Sequence, residues 1–176
     1  MGWNSFILYA LASAVCWITG AYISARSDKK GVAAGLTGLG SVIFFSFILG
    51  LWIVLERPPM RTMGETRLWY SFFLSLTGLG VYCKWGYKWI LSFSTMMSIV
   101  FICVNIFKPE IHSKALMPAL QSPWFVPHVI VYMFAYAMMG AATLFAIYLW
   151  LIPSKKTAIE ENMSVCDNLV KIGWGF

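Results

Sequence analysis

The chain has 176 residues, of which 60% are hydrophobic and only 11% are charged. Soluble domains are about 45–50% apolar and about 25% charged, so this composition excludes an ordinary soluble protein. The net charge of +6 comes from basic residues spread between apolar segments, which argues against a surface for nucleic acid. The composition therefore predicts one integral membrane domain, embedded in the lipid bilayer, over residues 1–176.

Five long apolar segments predict an all-α, polytopic membrane protein. A helix needs about 20 apolar residues to cross a bilayer. Segments of this kind lie at residues 5–25, 32–55, 68–83, 89–107 and 127–152. Residues 108–127 are predicted to form an outer loop, and residues 153–171 a polar cytoplasmic loop. Residues 172–176 predict the start of a sixth membrane helix.

Small residues on two of these helices indicate close helix packing. Gly31 and Gly35 form a G-x-x-x-G pattern at the start of the second helix, with Gly38 and Gly40 nearby. Ser71, Ser75 and Gly78 share one face of the third helix at helical spacing. Such faces let helix backbones approach each other in a membrane, so we expect both to form helix contacts.

The distribution of Lys and Arg between the loops predicts the orientation of the chain. The loops at residues 26–30, 84–88 and 155–171 carry 8 of these residues, and those at 57–67 and 108–114 carry 5. The positive-inside rule places the first set in the cytoplasm. The N-terminus and the 108–127 loop are then outside, which in a bacterium means the periplasmic side of the inner membrane.

His128 is the candidate functional residue because it opens the fifth apolar segment directly after Pro127. Proline suits the first turn of a helix, so we expect His128 in that turn, at the membrane surface. The positive end of a helix disfavours a positive charge, and neutral imidazole is the form that binds metals. The alternative is a solvated polar residue, which position alone makes the more common outcome.

Other polar groups lie near this histidine in the sequence. His128, Tyr132, Tyr136 and Gly140 recur at every fourth position and predict one semi-polar stripe along the fifth helix. The two tyrosine hydroxyls would point at a cofactor or at neighbouring helices. His112 lies in the predicted outer loop, where we expect a solvated side chain.

Residues 116–129 read LMPALQSPWFVPHV and precede a predicted helix that carries tyrosines. This segment resembles the CcsA/ResC family of cytochrome c biogenesis proteins. Residues 167–176 are similar to the segment that leads into the family's next membrane helix. The resemblance implies a protein that handles haem at the outer membrane face. With a CcsB/ResB-like partner, it attaches haem to apocytochrome c.

The resemblance also implies a site. His128 would be an axial ligand to haem iron on the outer face, since haem iron accepts a neutral imidazole. From the chemistry of their side chains, rather than from the resemblance, we expect Trp124 and Phe125 to pack on the macrocycle and Lys114 to meet a propionate. The family's tryptophan-rich motif and second external histidine would follow Phe176. We therefore expect an N-terminal portion, truncated before that motif, which is inactive alone.

Two other functions stay open at this point. One is a haem exporter or carrier of a related branch, which holds or moves haem without attaching it to apocytochrome c. The other is a structural membrane protein without haem, in which His128 is incidental. No Ser/His/Asp set, metal-ligand cluster or phosphate loop indicates another enzymatic activity, so whether the chain is an enzyme is also left open.

Overall fold

The computed structural model describes residues 3–27, 29–112, 124–151 and 156–175, and within these ranges it contains helices and no β-strand. The main helices are α1 (Phe6–Arg26), α2 (Lys30–Leu55), α3 (Met63–Trp85), α4 (Lys88–Phe107), α5 (Phe125–Leu151) and α6 (Lys156–Trp174). Short 3-10 turns occupy Trp3–Ser5 and Pro109–His112. Among the described residues, three spans are long and apolar enough to cross a membrane: Trp3–Arg26, Lys30–Leu55 and Lys88–Phe107. The predicted all-α, polytopic membrane protein is confirmed.

Contacts divide the chain into two compact units, Met1–His128 and Val129–Phe176. In the first unit, α2 contacts α1 and α3, while α4 contacts α3 and α1. The four helices therefore form a closed antiparallel ring, in which the short links make α1 and α2, and α3 and α4, direct neighbours. The prediction of one membrane domain over residues 1–176 stays a prediction.

Hydroxyl groups join the helices of the ring. Trp17 Nε1 donates to Ser41 Oγ over 3.2 Å, and Ser41 Oγ lies 3.2 Å from Ser75 Oγ. Between α3 and α4, the Ser71 and Ser98 hydroxyls each donate to the other residue's backbone carbonyl, over 3.1 Å and 2.9 Å. Polar groups in a membrane interior need such internal partners. The predicted contact face of α3 is confirmed.

Some glycines of the ring lie in contacts between helices, and others do not. Gly78 lies so close to α4 that an added Cβ would overlap Ser94, so only glycine fits this contact. By contrast, nothing lies within 4 Å of a Cβ built on Gly31 or Gly35. The predicted packing of this glycine-rich segment is therefore wrong at Gly31 and Gly35 among the described residues. It is confirmed at Gly40, where an added Cβ would lie 2.8 Å from a side chain of α1.

The third helix begins at Met63, five residues before the predicted start. Thr62 and Glu65 form a capping box, in which each side chain accepts a hydrogen bond from the other residue's backbone N–H. The Glu65 carboxylate also holds Arg57 through two bonds of 3.0 Å. These bonds satisfy the first amides of the helix and neutralise a carboxylate that is almost fully buried.

The second unit pairs α5 with α6. The Cys166 thiol lies 3.4 Å from the Ala142 carbonyl oxygen, and a Cβ on Gly173 would lie 3.4 Å from the Ala135 carbonyl oxygen. As α6 advances along the chain, its contacts move back along α5, so the two helices are antiparallel. Leu169 lies fully buried on the same face of α6.

Helix α6 occupies most of residues 153–171, so the prediction of a cytoplasmic loop there is wrong for the described residues. Its charges suggested a loop, but those that the structure describes lie on the exposed side of an amphipathic helix. Asp167 and Lys171 form an ion pair one turn apart on the exposed side. Val165 and Leu169 lie buried on the opposite side. Because this apolar repeat is short and most of its neighbours are polar, the segment was predicted as a loop.

Candidate functional site

The first turn of α5 carries the candidate ligand. The helix begins at Phe125, two residues earlier than predicted. Pro127 lies within this turn, where a backbone N–H is not needed for helical bonding. The His128 N–H donates to the Trp124 carbonyl over 3.4 Å, which closes the turn. His128 therefore lies in the first turn, as the sequence predicts.

The two predicted haem contacts at this turn are exposed. His128 is exposed, and Trp124 is 82% exposed. An accessible imidazole suits haem iron as an axial ligand, and an accessible indole suits the apolar macrocycle. The residues present therefore fit one contact surface for haem. Their roles as haem contacts stay predictions.

The predicted stripe along α5 is also exposed. Tyr132 and Tyr136 are 45% and 63% exposed, and their ring centroids are 5.8 Å apart. A Cβ built on Gly140 would meet nothing within 4 Å. This stripe therefore presents two aromatic rings and a small residue on one exposed side of α5. The segment at residues 116–122 and Lys114 lie outside the described residues.

His112 is not the solvated loop residue that the sequence predicts. It is partly buried, and its imidazole stacks on the Trp3 indole with centroids 3.6 Å apart and planes 8° apart. The Phe6 ring meets the same imidazole edge-on at 6.4 Å. The prediction is wrong because the 3-10 turn Pro109–His112 folds back onto the end of the ring where α1 begins.

A hydrogen bond explains why the turn folds back. The Asn105 carbonyl lies in the last turn of α4, where the N–H four residues later would normally bind it. That position is Pro109, which has no N–H. His112 Nε2 lies 3.0 Å from this carbonyl and donates to it, because a carbonyl oxygen only accepts. The imidazole therefore caps the end of α4.

The start of α3 completes the surroundings of His112. Asn105 Nδ2 donates to the Gly64 carbonyl over 3.2 Å. A Cβ on Gly64 would lie 2.8 Å from His112 Cδ2, so this contact requires glycine. His112 thus joins the beginnings of α1 and α3 to the end of α4.

Burial lowers the pKa of His112 below its ordinary value. The bond to the Asn105 carbonyl and the nearby Glu110 carboxylate act in the opposite direction, but burial has the larger effect. The imidazole is therefore held in its neutral form, which agrees with its role as a cap packed between aromatic rings.

Neither histidine belongs to a cluster of metal ligands within the described ranges. No group of three or more His, Cys, Asp or Glu side chains there is placed to hold a metal ion. The buried Glu65 carboxylate is already bonded to Arg57. The exposed His128 in the first turn of α5 stays the predicted ligand.

Comparisons with known proteins agree with the resemblance. Residues 66–174 match the family described as Cytochrome C assembly protein. The chain is 35% identical over 143 residues to the cytochrome c biogenesis protein CcsA of Cucumis sativus, covering 78% of this chain and 42% of that protein. It is 25% identical over 167 residues to the CcsA of Parasynechococcus marenigrum (strain WH8102), covering 93% of this chain and 53% of that protein.

The chain spans about half the length of these relatives or less. No solved structure matches it. The family match covers α3 to α6, including the turn that carries His128. On this match and on its relatives, the chain belongs to the cytochrome c assembly protein family.

Proposed function

We propose that this chain is the haem-handling part of a membrane protein for cytochrome c maturation. The observation that carries the proposal is the exposed His128 in the first turn of α5, beside the exposed Trp124, within the region that matches the family. His128 coordinates haem iron, and Trp124 packs against the macrocycle. A bound haem supplies the prosthetic group that is attached to apocytochrome c.

The chemistry of this turn supports the assignment. Imidazole is a common axial ligand of haem iron, and an indole covers apolar surface while tolerating contact with water. The tyrosine pair at Tyr132 and Tyr136 extends the aromatic surface along the same helix. Such a surface suits a ligand with an apolar ring and charged propionates at a membrane boundary.

The orientation and partners belong to the same proposal. His128 faces the outer side of the membrane, which in a bacterium is the periplasmic side of the inner membrane. A CcsB/ResB-like membrane protein works with the chain, and apocytochrome c receives the haem. The distribution of Lys and Arg supports this orientation: the segments at 26–30, 84–88 and 155–171 carry 8 of these residues, and those at 57–67 and 108–114 carry 5.

Haem titration of the purified chain in mild detergent tests the proposal. Wild-type protein, His128→Ala and His112→Gln are compared by absorption spectroscopy. We expect wild type and His112→Gln to give the same haem Soret band, because His112 is engaged with Trp3 and Asn105. His128→Ala should lose that band, and added imidazole should restore it.

Two results would overturn the assignment. One is an unchanged Soret band in His128→Ala, which would leave haem bound by other groups. The other is the absence of a haem band in folded wild-type protein, which would show that these 176 residues do not form a haem site. If His128→Ala binds haem normally, the structural alternative without a ligand role for His128 is favoured.

A further inference from the structure

A groove of about 510 Å³ runs along the outside of the four-helix ring, between α1 and α4. Ile18 of α1 forms one wall, and Met96, Cys103 and Phe107 of α4 lie along the other. Both helices are long and apolar enough to cross a bilayer. Met96 is 63% exposed and Phe107 is 80% exposed, so the groove opens on the outer surface of the ring.

The lining is apolar along its length and ends in a cation. The Thr95 hydroxyl in the groove donates to the Leu91 carbonyl over 2.9 Å, so its hydrogen bond lies within α4. Lys108 follows the last residue of α4 and lines the groove at the end where α1 begins. An occupant therefore needs a long apolar part and an anionic end.

The length of the groove suits an acyl chain. From Ser92 to Lys108, α4 rises roughly 24 Å. Half of the hydrocarbon core of a bilayer measures about 15 Å, so the groove extends over the depth of one leaflet. It is thus long enough for one acyl chain, and its cation matches an anionic headgroup at the end of that chain.

We infer that this groove binds one anionic phospholipid, with an acyl chain along α4 and the phosphate at Lys108. Ammonium groups at the membrane surface attract anionic lipid headgroups. The position of Lys108, directly after the membrane-crossing part of α4, places its charge at headgroup level. The apolar lining binds the chain, and Lys108 selects the headgroup.

Native mass spectrometry tests this inference on the full chain. The protein is reconstituted in vesicles of phosphatidylglycerol or of phosphatidylcholine, extracted in detergent, and weighed with its retained lipid. We expect one phosphatidylglycerol per chain, retained roughly fivefold more than phosphatidylcholine, as one lysine at the membrane surface would give. Cys103→Trp, which fills the groove, should reduce this retention at least tenfold. Lys108→Gln should abolish the preference for phosphatidylglycerol.

Matched controls separate the groove from general surface effects. Val42→Trp adds the same side chain at a position of α2 that is 65% exposed, and Lys84→Gln removes a cation at the other end of the ring. Both should retain phosphatidylglycerol as wild type does. Circular dichroism checks that each variant is folded. Lys108→Gln lies at an exposed position, so it keeps the test valid if the tryptophan variant unfolds.

The inference is overturned if folded wild-type protein retains no phosphatidylglycerol, or if it retains both lipids equally. It is also overturned if Cys103→Trp and Val42→Trp retain equal amounts, since the lipid would then bind elsewhere. Retention of a polypeptide instead of lipid at this groove would assign it to a protein partner. The haem titration of His128 variants is independent of each of these outcomes.

Discussion

Replacing His112 with alanine should destabilise the four-helix ring, because the imidazole makes a hydrogen bond and a stacking contact there. The imidazole donates one hydrogen bond to the Asn105 carbonyl and stacks on the Trp3 indole. A hydrogen bond contributes about 1 kcal/mol, and a ring contact contributes about 1 kcal/mol. We therefore expect His112→Ala to lower the free energy of unfolding by about 2 kcal/mol.

Two further variants divide this loss between its causes. His112→Gln keeps a donor for the Asn105 carbonyl but loses the stacked ring. His112→Phe keeps a ring on Trp3 but leaves the carbonyl without its donor, because Pro109 offers no N–H. Each should cost about half as much as alanine. Unfolding by SDS titration in mixed micelles, followed by circular dichroism, measures all three.

The control for this series is Val42→Ala, at a position of α2 that is 65% exposed. It should change the free energy of unfolding by less than about 0.5 kcal/mol. If His112→Ala matches this control, the imidazole is not a cap, and the packing argument fails. If glutamine and phenylalanine are each as damaging as alanine, the two contributions do not separate as described.

Three other perturbations follow from the structure. Glu65→Ala removes the capping box and leaves Arg57 without its carboxylate partner. SDS titration should show that the free energy of unfolding falls by about 3 kcal/mol. A fall of less than about 1 kcal/mol would refute the importance of this pair. Gly78→Ala should cost about 1–3 kcal/mol because its Cβ overlaps α4, whereas Gly80→Ala, with open space around it, should cost nothing. Stability should fall as the pH decreases below about 6.5, because the unfolded chain binds a proton at His112 more tightly than the folded chain. His112→Gln should give a flatter profile between pH 8 and 5, and an identical profile would contradict this origin.

The sequence alone was sufficient for the four helices of the ring. Their apolar segments are long and are separated by charged links, so the observed bounds of α1, α2 and α4 lie within two residues of the predicted ones. Thr62 and Glu65 have the spacing of a capping box, and this signal would have placed the start of α3 correctly. Helix α6 could not be found as a long apolar run, since only one of its faces is apolar, but the helical spacing of its apolar residues was a signal for it.

One histidine could be interpreted from the sequence, and the other could not. His128 was identified from its immediate neighbours, because a proline and an apolar segment mark the start of a helix locally. The surroundings of His112 come from Trp3, Gly64 and Asn105, which are far apart in the sequence. Only the ring brings them together, so no local pattern predicts this contact. The missing N–H of Pro109 is the one signal that indicated a need for a cap.

If the proposed function is correct, the closed ring of α1 to α4 also restricts where a haem could travel. Its interior is filled by side chains such as Trp17, Phe44 and Ser75, which are fully buried. A flat macrocycle as wide as haem would have to separate these helices and break the bonds between Ser71 and Ser98. In this part of the molecule, the four helices therefore leave no passage wide enough for a haem between them. Any haem that crosses the membrane beside it must move along its outer surface.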